Sequence, residues 1–224
     1  MNRLAAIVVV LLIGGTAAAF AYTQGLKQTK SPIVATHVFP KQFSPTCGCP
    51  TRTANIAFGL RSSDHVTISI LDSHRRVVRT LLDDRAVRHG YHRFTWNGHF
   101  ANGRLAPDGV YKPRVDLADA DRTINLPNTI RLDTVPPRIV GAASHTTSSL
   151  LRVRYRFSEQ AHALLYVAGT RRVKSRSYKP LGTIQLPLGS LRRGQQVALG
   201  AVDLAGNVSK LRVLKVSLPR GKRR

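Results

Sequence analysis

The stretch WNGHFANGRLAPDGVY, residues 96–111, decides the fold of this 224-residue chain. It contains Asn97-Gly98, Asn102-Gly103 and Asp108-Gly109, which pair glycine with a residue that tolerates left-handed backbone. Such pairs are typical of short connections between β-strands. The stretch contains no pattern typical of a nucleophile, an acid–base pair or a metal site. It therefore predicts a β-domain that binds or supports other molecules.

Trp96 and Tyr111 lie at the two ends of this stretch, next to the predicted turns. Exposed aromatic residues in such positions can stack on carbohydrate, but strand residues that flank glycine turns more often belong to a sandwich core. We therefore expect the Trp96 side chain to be buried.

Strand-like alternation extends in both directions from the stretch. Residues 65–71, HVTISIL, alternate apolar and polar side chains, and residues 151–157, LRVRYRF, do the same with arginine at every second position. The second pattern predicts a dry face and a charged face, with Arg152, Arg154 and Arg156 pointing outward. Because no long helical periodicity competes with these patterns, the body of the chain is predicted to be all-β.

A proline-rich connector in the middle of the chain predicts two sandwiches in tandem. Residues 133–137, DTVPP, form a stiff extended connector, because proline restricts its own backbone and that of its predecessor. We expect an anchor or signal segment with a stalk at 1–32, one sandwich at 33–134, a second at 135–218 and a basic tail at 219–224.

The N-terminal segment is apolar and uncharged over residues 4–22. It is long enough to cross a bilayer as a helix, so it predicts a single-pass membrane anchor. Because large β-domains after a signal-like start usually follow it outward, we expect the body outside the cytoplasm. A cleaved signal peptide is the alternative, because Ala19-Phe20-Ala21 fits the small-x-small rule; the body would then be secreted.

Three segments in order resemble the FlgD-type immunoglobulin-like domain of the flagellar hook-capping protein family. They are Phe43-Ser44-Pro45, the strand pair over residues 66–82, and the closing run that carries the fold signature Trp96, Gly98, Gly103, Gly109 and Tyr111. The resemblance covers about residues 36–118 and implies a non-enzymatic β-sandwich. The later phrase AVDLAGNVS, residues 201–209, is similar to a motif of tandem immunoglobulin-like repeats in bacterial surface proteins. The predicted fold is thus two tandem immunoglobulin-like or fibronectin III-like sandwiches after a transmembrane helix.

The chain departs from the family pattern in the loop over residues 46–52, TCGCPTR. The acidic and asparagine residues of the pattern are missing, so we expect no calcium in this loop. Cys47 and Cys49, the two cysteines of the chain, are predicted to form a local disulfide. The alternatives are free thiols, an intermolecular bond, or a soft-metal site with His37 as a third ligand.

The composition is strongly basic, with 35 lysines and arginines against 11 acidic residues and a net charge of +24. Such a charge favours anionic partners, although an arginine-rich composition alone also explains it. The densest basic patches are at Arg171, Arg172, Lys174 and Arg176, and at Lys222, Arg223 and Arg224. They can hold a phosphate-rich partner or be a solvated loop and a frayed terminus.

No catalytic or cofactor motif is present in the sequence, so we expect a non-enzyme without a cofactor. The histidines of the first sandwich are interpreted as solvated surface residues: His65, His74, His89, His92 and His99. The leading hypothesis is a membrane-tethered envelope protein for adhesion, cell-wall contact or surface assembly, with anionic wall polymers or proteins as partners. The alternatives are a basic nucleic-acid-binding protein of the envelope and a thiol- or metal-handling protein that acts through Cys47 and Cys49.

Overall fold

The structure is a computed structural model that describes residues 3–28 and 30–217. It begins with a helix, α1 (Arg3–Gln28), which covers the apolar segment. The side chains described on this helix, residues 7–21, are all exposed. The sequence predicts a transmembrane helix here, and the structure does not confirm it: no helix among the described residues is long and apolar enough to cross a membrane.

The chain then folds as an all-β protein, and residues 33–132 form the first sandwich. Its strands are β1 (Ile33–Phe39), β2 (Gln42–Phe43), β3 (Ala54–Leu60), β4 (Asp64–Leu71), β5 (Val77–Val87), β6 (Gly90–Trp96), β7 (Gly109–Leu117), β8 (Arg122–Asn125) and β9 (Ile130–Leu132). One sheet has the order β1-β3-β6, and the other has the order β2-β9-β7-β4-β5 with β8 paired to β7. Strands from both sheets contribute to one buried core.

Trp96 lies at the centre of that core and is fully buried. Its ring makes edge contacts with Phe43, at 5.4 Å between ring centroids, and with Tyr111, at 4.8 Å. The indole N–H donates to the carbonyl of His99 at 3.1 Å. The contacts join the opening segment, which contains Phe43, to the closing run. This explains why the two segments occur together in sequences with this fold.

Residues 139–214 form the second sandwich. Its strands are β10 (Ile139–Thr146), β11 (Leu150–Phe157), β12 (His162–Val167), β13 (Thr170–Lys174), β14 (Leu181–Pro187), β15 (Val197–Val202) and β16 (Arg212–Leu214), with a 3-10 turn at Leu188–Ser190. The sheets have the orders β10-β11-β14 and β13-β12-β15-β16, and all neighbours are antiparallel. On β11 the apolar residues enter the core and the three arginines are exposed, in agreement with the predicted alternation.

Two strand stretches lack the apolar alternation by which strands are predicted. β5 continues to Val87, beyond the predicted end at residue 82. Its second half lies exposed at a sheet edge and is largely charged, so the apolar alternation is missing there. β13 contains Arg171, Arg172 and Lys174, a basic patch that fits a loop on composition alone. An edge strand that faces solvent carries little of the hydrophobic pattern on which such predictions depend.

Gly98 should be the glycine of the first sandwich whose substitution lowers the stability of the domain most. Gly98 has φ +78°, and a Cβ there would overlap the Pro45 ring and lie 3.0 Å from Leu132. We expect Gly98→Ala to lower the free energy of unfolding by at least about 2 kcal/mol, because left-handed strain and overpacking add. Urea unfolding followed by the fluorescence of Trp96, the single tryptophan, measures this domain selectively.

Gly103→Ala is the matched control, because Gly103 has a similar φ of +81° but no atom within 4 Å of the added Cβ. This variant should lose only about 1 kcal/mol, the cost of left-handed backbone. Equal losses in the two variants would show that packing around Gly98 contributes nothing.

Candidate functional site

The loop over residues 46–52 is closed on itself by covalent and hydrogen bonds. The structure joins Cys47 to Cys49 in a disulfide with Cα atoms 5.2 Å apart. The backbone N–H of Ser44 donates to the carbonyl of Thr51 at 3.0 Å, and that of Arg52 donates to the carbonyl of Cys49 at 3.2 Å. The first sandwich thus presents a compact loop, which we call the disulfide loop.

The disulfide loop docks on a turn of the second sandwich, residues 203–207, which we call the DLAGN turn. The Thr51 hydroxyl donates to the carbonyl oxygen of Ala205 at 2.6 Å, and Cys49 Sγ lies 3.8 Å from the same oxygen. Gly206 faces the loop so closely that a Cβ would overlap Cys49 Sγ and the Thr51 hydroxyl. With φ +97°, Gly206 also has a backbone that residues other than glycine rarely adopt. Glycine is therefore required here both for the turn and for the docking.

Asp203 organises the DLAGN turn from inside. Its Oδ1 accepts hydrogen bonds from the backbone N–H of Gly206 at 2.7 Å and of Asn207 at 2.9 Å. The Asn207 amide donates to Asp203 Oδ2 and, across the connector, to the carbonyl of Asp133, both at 2.8 Å. The turn is thereby bound to the end of the first sandwich on a second side.

A cluster of three carboxylates lies at the same junction. It consists of Asp133 in the connector, Glu159 after β11 and Asp203, and one carboxylate oxygen of each lies within 4.8 Å of the others. Asp133 and Asp203 are buried and Glu159 is half-buried. Asp133 is also bonded by the Gln42 amide, which donates to its Oδ2 at 2.8 Å. We call this set the junction carboxylates.

Two of the junction carboxylates, Glu159 and Asp203, have raised pKa values. Burial raises the pKa of Glu159 above its ordinary value, and the negative charges of Asp133 and Asp203 raise it further. Burial likewise raises the pKa of Asp203, although hydrogen bonds from Asn207 and Gly206 act in the opposite direction. The positive charge of Arg131, whose Nε lies 3.9 Å from Asp133 Oδ2, opposes this repulsion and lowers the pKa of Glu159.

Oxygen donors of this kind are those that hard divalent cations such as Ca²⁺ prefer. The three carboxylates are the residues of this junction that could hold a metal ion. None of them belongs to the 46–52 loop, where the family resemblance places an acidic pattern. Geometry of this type supports ion or proton binding and the coupling of two domains.

The structure does not bring the sequence-predicted candidates together at one site. Cys47 and Cys49 are bonded to each other, and His37 is exposed on β1 with its ring stacked on Phe39. The basic residues Arg171, Arg172, Lys174 and Arg176 are exposed on and just after β13. Lys222, Arg223 and Arg224 lie outside the described residues. Of the five histidines, His65, His74 and His89 are exposed, and His92 and His99 are half-buried.

Sequence reasoning missed the junction carboxylates. Asp133 and Asp203 were visible only as parts of a connector and a turn, and Glu159 belongs to no motif. One signal was available, since these residues are three of only 11 acidic residues in a chain of net charge +24. The three carboxylates come together because of how the second sandwich docks. The sequence pattern of either domain alone does not predict that docking.

The first sandwich is similar to a known family of protein domains. Residues 50–121 match the family model of the FlgD Ig-like domain. The chain is 34% identical over 70 residues to the basal-body rod modification protein FlgD of Escherichia coli K12, which is 30% of each chain. It is 40% identical over 62 residues to FlgD of Salmonella typhimurium LT2, which is 26% of each chain. The chain thus matches less than a third of the length of these relatives. The similarity to the FlgD-type domain predicted from the sequence is confirmed.

Solved structures with a similar overall architecture include immunoglobulin-like and fibronectin III-like proteins. The fibronectin(III)-like modules of Clostridium thermocellum CbhA have a TM-score of 0.41 at 13% identity, covering 80% of this chain and 92% of theirs. The human OSCAR ligand-binding domain has a TM-score of 0.42 at 11% identity, covering 80% and 96%.

The docking at Gly206 can be tested with an alanine substitution. We expect Gly206→Ala to separate the sandwiches, because the new Cβ overlaps Cys49 Sγ in a backbone already at φ +97°. Small-angle scattering should show a larger radius of gyration, and limited proteolysis should cut faster at residues 133–137. The urea midpoint reported by Trp96 should not change, since that core does not include the turn.

Gly169→Ala is the control for Gly206→Ala. Gly169 lies in the same sandwich at φ +78°, and nothing lies within 4 Å of its Cβ position. This variant should keep the compact scattering profile. An unchanged radius of gyration in Gly206→Ala would refute the docking role of the disulfide loop.

Removal of one junction charge should stabilise the second sandwich. A carboxyl whose pKa is raised by folding binds its proton more tightly when folded, so its contribution to stability falls as the pH rises through that pKa. We expect Glu159→Gln to raise the free energy of unfolding at neutral pH by up to about 1 kcal/mol, the range of solvent-screened charge interactions. The gain should shrink as the pH falls from about 7 to about 4, where the carboxyl becomes protonated.

Calorimetry in low salt with EDTA present measures this effect without interference from divalent ions. Asp83→Asn is the control, because it removes one negative charge from an exposed position of β5 in the other sandwich. A loss of stability in Glu159→Gln at neutral pH would contradict the repulsion inferred for the junction.

Proposed function

We propose that this chain, whose first sandwich is similar to the FlgD Ig-like domain over residues 50–121, is a non-enzymatic binding or scaffolding protein of the bacterial envelope. The similarity of the first sandwich is the observation that carries the proposal. FlgD-type and immunoglobulin-like domains generally bind or support other molecules and catalyse no reaction. The body is proposed to work outside the cytoplasm, because a disulfide such as Cys47–Cys49 persists in an oxidising compartment.

The docked arrangement of the two sandwiches supports a scaffolding role. Hydrogen bonds cross between them from Thr51 to Ala205 and from Asn207 to Asp133, on either side of the proline-rich connector. Hydrogen bonds at two places restrict the relative motion that tandem domains otherwise show. Such a unit is suited to hold a binding surface at a set distance from its attachment point.

The helix α1 is proposed to be the segment that exports the body or attaches it to the membrane. Its apolar side chains are exposed over residues 7–21, which leaves them available for a lipid or protein environment. The large exposed residues are Ile7, Val8, Val9, Val10, Leu11, Leu12, Ile13 and Phe20. Removal of the segment as a signal peptide would give the same body in a secreted form.

Nucleic-acid binding is the second candidate function, and the net charge of +24 is the observation that favours it. The thiol- or metal-handling alternative requires free sulfurs, and the structure pairs Cys47 with Cys49. A gel-shift titration of the full chain with duplex DNA at rising salt tests the nucleic-acid function. Binding to anionic wall polymers or to proteins is our preferred proposal for the partner.

Protease treatment of intact cells tests the location of the body. In the native bacterial host, a C-terminally tagged full chain should lose its tag to added protease while a cytoplasmic marker protein stays intact. Alkylation of the cells should label Cys47 and Cys49 only after reduction, since they are paired. A body that resists protease until lysis, with thiols open to alkylation without a reductant, would rule out the envelope location.

A further inference from the structure

The outer face of the sheet β10-β11-β14 carries a row of arginines. Arg152, Arg154 and Arg156 occupy alternate positions of the central strand β11, and all three are exposed. The residues between them enter the core, so the arginine side chains share one face. We call this row the arginine ladder.

The flanking strands leave the arginine ladder uncovered. On β10 the residues opposite the arginines are His145, Ala143 and Gly141, and on β14 they are Gln185, Thr183 and Leu181. Residues that lie opposite each other in antiparallel pairs share a face, so these nine residues form a grid of three by three. None of the nine is acidic. The face forms a shallow groove of about 560 Å³ along Arg152 and Arg154, between Ala143 and His145 on one side and Thr183 and Gln185 on the other.

The arginines of the ladder have no partner within the described protein. The ion pairs of the described residues involve other basic residues: His65, Arg76, Arg114 and Arg131. No side-chain hydrogen bond of the ladder arginines to another described residue is present. Three aligned guanidinium groups without a counter-charge form a surface that an anionic ligand would complement.

The spacing and chemistry of the face indicate what kind of anion fits. Alternate residues of a strand lie about 6.7 Å apart, so the ladder repeats its positive charge at that interval along a straight line. Each guanidinium can bind a phosphate group through two parallel N–H donors. A polymer that carries one phosphodiester per short alcohol unit presents negative charge at a similar interval when extended.

The neighbours of the ladder argue against single-stranded nucleic acid. Proteins that bind single strands use exposed aromatic rings on which bases stack. The grid contains no phenylalanine, tyrosine or tryptophan. Gly141, Ala143 and Thr183 are small and admit a narrow chain close to the sheet.

We propose that the arginine ladder binds an extended, unbranched phosphodiester polymer without bases, of the poly(glycerol phosphate) type, laid along β11. The proposal rests on the envelope function proposed above and specifies the partner of that function. The basic patch on β13 fits such a polymer less well, because the pairing of β13 shifts by one residue at Arg172, so its basic residues do not repeat at a regular interval along the strand.

The test compares two triple variants of the full chain in detergent. The ladder variant is R152Q/R154Q/R156Q, and the control is R171Q/R172Q/K174Q, which removes the same charge from the same sandwich. The probe is a synthetic glycerol phosphate oligomer, and its affinity is measured by calorimetry over a range of salt concentrations. Circular dichroism and thermal unfolding establish that both variants fold.

We expect the ladder variant to lose at least about tenfold in affinity near physiological salt, and the slope of log K against log salt to fall by about 2, as for three lost contacts to a flexible anion. The control should lose less than about threefold, the effect of net charge alone. A third variant, R152K/R154K/R156K, keeps the charge and should show an intermediate loss, because lysine lacks the planar fork. It also keeps the test decisive if the glutamine variant does not fold.

Equal losses in the ladder and control variants would overturn the proposal, since binding would then follow net charge only. Stronger ladder-dependent binding to a single-stranded oligonucleotide, to polyglutamate or to anionic lipid vesicles would also overturn it, in favour of that other partner. These outcomes leave the proposed envelope function standing if protease still reaches the body on intact cells. If only the protease test failed, the proposed envelope function would be wrong, and the affinity of the arginine ladder for the glycerol phosphate oligomer would need another explanation.

Discussion

The docking of the disulfide loop on Gly206 is the contact on which the shape of this protein depends. The first sandwich has its own aromatic core around Trp96, and the second has a separate core, so each domain could hold its fold without the other. The contacts that relate them are the hydrogen bond from Thr51 to Ala205, the bare backbone of Gly206 against Cys49, and the hydrogen bond from Asn207 to Asp133. A side chain at Gly206 would remove the close approach that the first two contacts need.

Electrostatics at the junction act against this docking. The approach of Asp133 and Asp203 to Glu159 costs free energy, because burial and like charge both disfavour the ionised form of Glu159. The hydrogen bonds that Asp203 accepts from Gly206 and Asn207 offset part of that cost. The relation between the sandwiches therefore depends on two opposed contributions, the hydrogen bonds at the junction and the repulsion among its carboxylates.

The sequence predicts the individual domains better than their junction. Turn dipeptides such as Asn97-Gly98 and the alternation on β11 depend on residues close together in the chain, and the structure agrees with both. β13 was missed because an exposed edge strand lacks the apolar pattern. The hydrogen bond between Asn207 and Asp133 joins residues 74 positions apart, and it exists only once both sandwiches have formed and docked. No local pattern records such a contact, which is why the carboxylate cluster was not predicted.

Charge is distributed unevenly over the folded chain, and this bears on how the protein engages a partner. Three of the 11 acidic residues are gathered at the junction, whereas the arginines of β11 are on an open sheet face with no acidic residue in the surrounding grid. An anionic polymer near the junction would meet repulsion, and the same polymer would meet attraction along β11. Because the arginines are exposed at alternate strand positions, their spacing is determined by the backbone of the sheet and not by flexible loops. Rigid spacing of this kind favours a ligand with regularly repeated charge over an irregular one, since only the former can satisfy all three guanidinium groups at once.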